Sequence, residues 1–541
     1  MPLGTTFEDE LRRALQLRRI QQGTAMLRSA EGELAGIDPQ TANAASLLLL
    51  IAQWVDVGYR DHSVLDGLLA RFPNCARKTL SVQDYLRLRM VEGFCAFSSG
   101  ELDRAIGTLE FVLRAQRDLP DEALAALAHF WKGRAHRKKG EYEASLVDIA
   151  SAREFAQSSR DPIFTAVIQI QESWLLFQKG QHREALRLLA ESESVLKATD
   201  HWIALGNIES ARGRIVRRAG EYDEALEHFI RSIEIYARGD PQHVNLARAL
   251  VNCASTRRLL GHQIRRKLDS LAKSRDSASA MSESAGAGTR EALRVRHQQL
   301  YDSALQEVER AREIYDIHGH RDGIGNVAFT LGYLHLDLGD IDRALTDAAE
   351  AYRIGEAQND HILMARARIL SAAIENAHVE EQIGEGVDIA VHAANARQYS
   401  DEAWALALST ENRRLLAGAS IARGMTAAND FFQDWELAQR CAAEATSLCG
   451  PGENDHLIED LAALKTRVMR AWGINDRLRG WSEGFVGSKT FQQITEEFAE
   501  IVIPKVWLRE DKKVSRVAAC LSISPKKVRR ILRNAGLVPH N

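Results

Sequence analysis

A seven-residue pattern of small, polar and apolar positions recurs along the chain. It reads Gly100-Glu-Leu102-Asp-Arg-Ala105-Ile106, then Gly140-Glu-Tyr142-Glu-Ala-Ser145-Leu146, Gly180-Gln-His182-Arg-Glu-Ala185-Leu186 and Gly220-Glu-Tyr222-Asp-Glu-Ala225-Leu226. The four glycines follow one another at a constant period of 40 residues. Seven positions before each sits a small residue, Gly93, Gly133, Ser173 or Gly213, and a breaker, Pro120, Pro162, Asp200 or Pro241, closes each unit. Each unit therefore predicts a helix, a tight glycine turn, a second helix and a stop. The small residue on the first helix admits the second, and the Ala or Ser five residues after the turn keeps the backbones close. Leu109, Ile149, Leu189 and Phe229, four positions further on, fill the next turn of the same face. One such pair cannot bury its apolar face alone, so the units must stack into an array.

The phrase returns at Gly339-Asp-Ile341-Asp-Arg-Ala344-Leu345, with Gly332 seven positions before it. In the interval, Val244 to Gly261 predicts a first helix with Ala254 in the small position. Its partner is expected only at Tyr301-Asp-Ser303-Ala304-Leu305. Between them lies a Ser/Ala/Gly-rich stretch without large apolar residues, read as an insertion into one repeat turn, disordered over about 266–296.

The repeated positions resemble the tetratricopeptide repeat, through the set Gly213, Tyr222, Ala225 and Pro241 and its equivalents. The resemblance is clear from about residue 85 to 360 and weaker over 7–84 and 361–472. It implies an all-α superhelix whose groove takes a protein, a peptide or a small-molecule ligand. The period of 40, longer than the roughly 34 of that family, is like the sensor arrays of large bacterial transcription activators.

Composition supports a helical chain: 10 prolines in 541 residues fall well below the average. The six cysteines form no CxxC pair and no histidine cluster has ligand spacing, so neither a disulfide framework, a metal site nor a cofactor is expected, and a reducing cytoplasm fits. The first residues show no secretory signal, and the apolar stretch from Ala44 to Val55 is too short to span a bilayer, so no membrane partner is expected. Charge changes the picture more. Residues 505–541 hold ten Lys or Arg against Glu510 and Asp511, a net +8, while the whole chain carries −4 and the remainder therefore −12. A short basic tail on an acidic body is the electrostatic footprint of a nucleic-acid contact.

The array is expected over residues 1–472. Gly473, Gly480, Gly484 and Gly487 then punctuate a hinge at 473–490, and a compact unit follows at 491–541. There Phe491, Ile494, Phe498, Ile501 and Val502 share a helical face, up to Pro504, which is expected to kink or restart the helix. Val514, Val517, Ala518 and Leu521 make a second apolar face. After a short break, Ser524 is placed as N-cap, Pro525 at the first helical position, and Val528, Ile531 and Leu532 on a third face closed by Gly536. This is helix-turn-helix grammar, with Ala518 at the crossing and Ile523 filling the core from the turn. It resembles the factor-for-inversion-stimulation type of helix-turn-helix, found at the C-terminus of many bacterial enhancer-binding activators. The match rests on Ala518, Ala519, Leu521, Ile523, Ser524, the basic run and Gly536-Leu537. Ser522 stands where that family's turn carries Gly and must accept a strained backbone, and Pro504 interrupts the helix of the family's dimer contact.

In a recognition helix Lys526, Lys527 and Arg530 are candidates for base edges, while Arg529, Arg533, Lys513 and Arg516 fall to phosphates, and Ser524 at the helix start is counted with them as a DNA-binding residue. A solvated basic helix is the bland alternative. Gly484-Phe-Val-Gly487-Ser488-Lys489-Thr490 departs from a phosphate loop, because Ser separates Gly from Lys, and His318-Gly319-His320 reads as a turn. With no nucleophile, base or paired-carboxylate constellation, no catalytic residue is named and an enzyme is not expected. The sequence thus predicts a bacterial-type, non-enzymatic transcription regulator binding duplex DNA, with homodimerisation open as a way to reach two half-sites. The alternative is a protein-protein interaction scaffold whose basic tail docks an acidic partner.

Overall fold

The computed structural model describes residues 5–538 apart from 42, 61, 117, 274–282, 383–388, 451, 472–480 and 482–488. Among the described residues every regular element is an α-helix, and no helix is long and apolar enough to cross a membrane. The chain divides into two compact units, residues 1–461 and 462–541, so the division falls inside the helix His456–Ala471. The hinge expected at 473–490 lies almost wholly outside the described residues.

The first unit is a tetratricopeptide-like superhelix of paired antiparallel helices. Four successive pairs are Val82–Ser99 with Leu102–Ala115, Glu122–Lys139 with Tyr142–Ser158, Pro162–Gln178 with His182–Leu196, and Trp202–Arg218 with Tyr222–Gly239. The pairing follows from the small positions. A Cβ added at Gly93 would stand 2.9 Å from Leu109, one at Gly133 2.9 Å from Ile149, and one at Gly213 2.9 Å from Phe229. Those are the apolar residues that the repeat assigns to the same face, and all three are at most 1% exposed. Ala105, Ala185 and Ala225 are fully buried at the crossing. Ser145 replaces Ala there without leaving a polar group unpaired, because its hydroxyl donates to the Gly133 carbonyl at 2.7 Å. The turn glycines Gly100, Gly140, Gly180, Gly220 and Gly339 all lie at φ between +79° and +89°, the left-handed region that ends a helix cheaply only without a Cβ.

Asp121 and Asp161, beside the breakers, cap the next helices by accepting the N–H of Leu124 at 3.0 Å and of Phe164 at 2.8 Å. Asp200 does something else. Its carboxylate accepts the backbone N–H groups of Ile20 and of Gln21, the latter at 2.9 Å, and so caps a helix 180 residues away. His318-Gly319-His320 is a turn, with Gly319 at φ +59° and the His320 ring accepting the Gly323 N–H at 2.9 Å.

The expected insertion is corrected by the structure. The first helix does not end at Gly261 but runs over Val244–Lys273, and its partner begins long before Tyr301, over Glu283–Ile317. Within 266–296 the described residues are thus helical, and 274–282 lie outside them. Few large apolar residues are needed, because the two helices support each other. Leu268 and Leu293 rest against Leu259, Leu260, Ile264 and Leu300, while Arg266 pairs with Glu459 at 2.6 Å and Arg296 with Asp223 at 2.7 Å. Gly261 serves as a close-approach point instead of a turn, since a Cβ there would meet the Tyr301 ring at 2.6 Å.

Distant repeats also touch. The N–H of Asn454 donates to the Arg218 carbonyl at 3.0 Å, and the N–H of His456 to the Tyr222 hydroxyl at 3.0 Å. Asn412 donates to the Tyr142 hydroxyl at 3.3 Å. Around this seam Arg218 pairs with Glu453 at 3.6 Å, and Arg414 with Glu453 at 3.1 Å and with Asp455. Gly220 is part of the seat: a Cβ there would stand 2.4 Å from the Asn454 carbonyl oxygen.

Candidate nucleic-acid interface

The second unit holds a helix pair built as the apolar pattern requires. A supporting helix, Phe491–Arg509, opens with a capping box between Thr490 and Gln493. It runs unbroken through Pro504, against the expected restart. The carbonyl that Pro504 leaves without an amide partner, at Glu500, belongs to an exposed residue where water can serve it. The expected face on this helix is also revised. Phe491 is 85% and Phe498 49% exposed, and the residue that enters the core is Ile503, at 2%.

Ile503 packs with Val517 and Ala518 of the short helix Val514–Cys520 and with Val528, Ile531 and Leu532 of the helix Pro525–Asn534. Between the two short helices Ser522 sits at φ +50°, the strained position expected of it. The N–H of Ile523 reaches the Ala518 carbonyl at 3.0 Å and that of Ser522 the Ala519 carbonyl at 3.3 Å, a Schellman closure that brings Ile523 back onto the core. Ser524 then caps the next helix, its hydroxyl accepting the Lys527 N–H at 3.2 Å, with Pro525 in the first turn. Gly536 at φ +69° closes that helix, and the N–H of Leu537 returns to the Leu532 carbonyl at 2.9 Å.

The fixed core decides where the cations point. On a helix of 100° per residue, Lys526, Arg530 and Arg533 lie opposite the buried Val528, Ile531 and Leu532, with Lys527 and Arg529 on the flanks. Lys526, Arg529 and Arg530 are exposed, while Lys527 and Arg533 are half-buried. Lys513 and Arg516, at the start of the preceding helix, are also exposed. Arg516 pairs with Asp511 at 2.8 Å and Arg530 with Glu496 at 3.4 Å. Both pairs are exposed on both sides, and such pairs contribute at most about 1 kcal/mol, so an incoming phosphate can replace either carboxylate.

A second polar concentration was missed by the sequence reading, which treated the first helices of the repeats as packing surfaces. Leu127, Val167 and Asn207 occupy one repeat position on three successive first helices, and Arg134, Trp174 and Arg214 another. Together they line one cavity of about 310 Å³. The 40-residue spacing of these side chains is the signal that could have found it.

Residues 205–264 match the tetratricopeptide repeat family. Among solved structures the chain is similar to the Rap protein complexed with competence and sporulation factor, at 13% identity over 78% of this chain and 100% of that one, with a TM-score of 0.51. It is also similar to the human IFIT1 dimer with m7Gppp-AAAA (13% identity, 82% of this chain and 94% of that one, TM-score 0.44). A further likeness is to the apo form of the quorum sensor NprR from B. thuringiensis (14% identity, 82% and 97%, TM-score 0.39). At these identities the likeness to Rap is one of fold. No curated protein matches the chain. What the chain is similar to, then, is a tetratricopeptide-repeat superhelix of the Rap kind.

Proposed function

We propose that the chain is a DNA-binding transcription regulator, non-enzymatic, in which the helical-repeat array is a sensing or docking region and the C-terminal helix pair grips duplex DNA. The observation that carries this reading is the helix Pro525–Asn534. Its ten residues hold Lys526, Lys527, Arg529, Arg530 and Arg533 and no acid, on a frame fixed by the Ser522 turn, the Ser524 cap and a buried apolar face. A helix of that length spans about 15 Å, and a major groove about 12 Å wide admits it. A merely solvated basic helix needs neither the closed turn nor the cap. The N-terminal Lys526 and Lys527 and the outward Arg530 are assigned to base edges, and Lys513, Arg516, Arg529 and Arg533 to phosphates.

The test is selection of bound sequences from a random duplex pool by the full chain, followed by binding at several salt concentrations. A preferred sequence is expected, with a logarithmic salt slope of about −3 to −4 for the four phosphate contacts per tail. Replacing Lys526 or Arg530 by Ala relaxes one base position at a cost of roughly 1–3 kcal/mol, whereas Arg529→Ala weakens all sequences alike and flattens the slope by about one. Failure to bind any duplex at low salt sinks the proposal and leaves an acidic protein surface as the tail's partner.

A further inference from the structure

The array's cavity carries charge that the protein does not neutralise. Arg137, on the helix Glu122–Lys139, lies over the Trp174 ring at 4.9 Å and forms no ion pair among the described residues. Among the described residues Arg214, on Trp202–Arg218, donates only to the Ser210 carbonyl at 3.2 Å, and Arg248, on Val244–Lys273, only to the Asn245 side chain. The acids in the cavity are already engaged. Asp56 holds Arg134 at 2.5 Å and the Trp131 N–H at 2.9 Å, and Asp161 caps a helix. Burial and the neighbouring charges of Arg134, Arg248 and Arg214 pull Arg137 down to about 9; burial with Arg248 and Arg217 pulls Arg214 down to about 10. Both remain cationic at neutral pH, and both feel the charge of Arg248. Three guanidinium groups on the first helices of three different repeats, without an acidic partner among the described residues, are costly to keep together unless something anionic enters.

The remaining lining says which anion. Asn207 and Asn245 each use the side-chain oxygen within the protein, the first accepting from the Tyr236 hydroxyl at 2.8 Å and the second from Arg248, so each turns a donor amide to the ligand. Beside the three arginines these amides add donors, and the guanidinium forks match carboxylate oxygens. Beside them Leu127, Val167, Ile170 and Ile203 give an apolar wall suited to an aliphatic side chain. Nucleobases find no free stacking platform. Phe130 already packs edge-on against Phe164 at 5.3 Å under Arg134, and Trp174 against Tyr142 at 5.4 Å under Arg137.

We infer that this cavity binds an acidic peptide segment, a carboxylate lying between Arg137, Arg214 and Arg248 and a neighbouring aliphatic side chain against the Leu127–Val167 wall. The inference names the ligand class of the sensing region and rests on that part of the proposed function, but not on DNA binding.

The test exposes the full chain to an equimolar pool of random hexapeptides and, separately, of random RNA hexamers, and identifies what is retained. At least a threefold enrichment of Asp and Glu over the input peptides is expected, with a weaker retention of RNA. Arg137→Gln with Arg214→Gln abolishes the enrichment without lowering the thermal midpoint, because no ion pair is lost. Should that double variant fail to fold, Arg248→Gln, at an exposed position, is expected to reduce enrichment at least threefold. Retention without acidic bias, bias that survives Arg248→Gln and the double variant, or stronger retention of RNA than of peptide overturns the inference. Because the readout contains no DNA, peptide selection with no duplex binding refutes only the DNA-binding reading, and duplex binding without peptide selection refutes only this one.

Discussion

Two glycines, each inside a helix, put the repeat physics to a matched test. Gly213 lies on Trp202–Arg218, and an added Cβ would stand 2.9–3.1 Å from three atoms of the Phe229 ring. That ring is fully buried and has no room to retreat. Gly107 lies on Leu102–Ala115, exposed, and a Cβ there would meet nothing within 4 Å. Gly→Ala is the same chemical change at both, and in a helix interior it is worth about 0.8–1 kcal/mol in favour of Ala. At Gly107 that gain stands alone. At Gly213 overpacking of roughly 1–3 kcal/mol opposes it, leaving a net loss of about 0–2 kcal/mol. Long arrays need not unfold in one step, so the assay is amide hydrogen exchange within each variant's own helix pair. Exchange is expected to slow about fivefold near Gly107→Ala and to quicken near Gly213→Ala, 1.4 kcal/mol being tenfold. Equal slowing in both would show that the two helices do not approach as closely as the repeat requires.

Three further outcomes follow from other parts of the molecule. Ser522→Gly relieves a left-handed backbone that costs about 1–2 kcal/mol and forfeits up to about 1 in chain entropy; the C-terminal unit should therefore melt slightly higher, and a lower midpoint would deny the strain. His201 is 4% exposed, and burial together with the charge of Arg18 depresses its pKa to about 3 from an ordinary 6.5. Stability is fully present above pH 6.5 and is lost as pH falls towards 3, by about 1.4 kcal/mol per unit; His201→Leu should flatten that slope by one proton in a denaturation series from pH 7 to 4. Arg414→Met leaves the buried Glu453 and Asp455 short of a partner; breaking such a pair costs about 3–5 kcal/mol, so hydrogen exchange should rise around 218–222 as well as 453–456, and a purely local rise would argue against the seam.

How far the sequence reached depends on how far apart the interacting residues stand. The pairs Gly93–Leu109, Gly133–Ile149 and Gly213–Phe229 were legible because each repeat fixes its own close contact and the period exposes it. The Ser522 turn and the Ser524 and Gly536 helix ends were legible because each is set by residues within one turn of helix. The seam between Arg218 and Glu453 and the capping of Ile20 by Asp200 were not. They depend on the superhelical pitch, which is the sum of many small inter-repeat rotations that no single residue states. The long helices Val244–Lys273 and Glu283–Ile317 escaped for a different reason: scarcity of apolar residues argued for disorder, whereas the few present, such as Leu268 and Leu293, are shared between two partner helices. Arg137, Arg214 and Arg248 escaped because a cation on an amphipathic helix reads as solvated until the curvature brings three of them to one cavity.

That curvature also bears on how the array would act as a sensor. A ligand can shift an equilibrium only by its differential affinity for two states. Arg137, Arg214 and Arg248 belong to the first helices of different repeats, so a carboxylate held by all three favours the curvature that brings those helices together. Their mutual repulsion favours the opposite when the cavity is empty. Because each repeat contacts mainly its neighbours, a small change of angle there accumulates along the array. On that proposal it would be read out where distant turns meet, at Gly220, whose missing side chain leaves the Asn454 carbonyl just enough room, and at the Arg218–Glu453 pair beside it. A packed seam of this kind is met or broken, not graded, which is what would convert a small displacement at a ligand into a change of state.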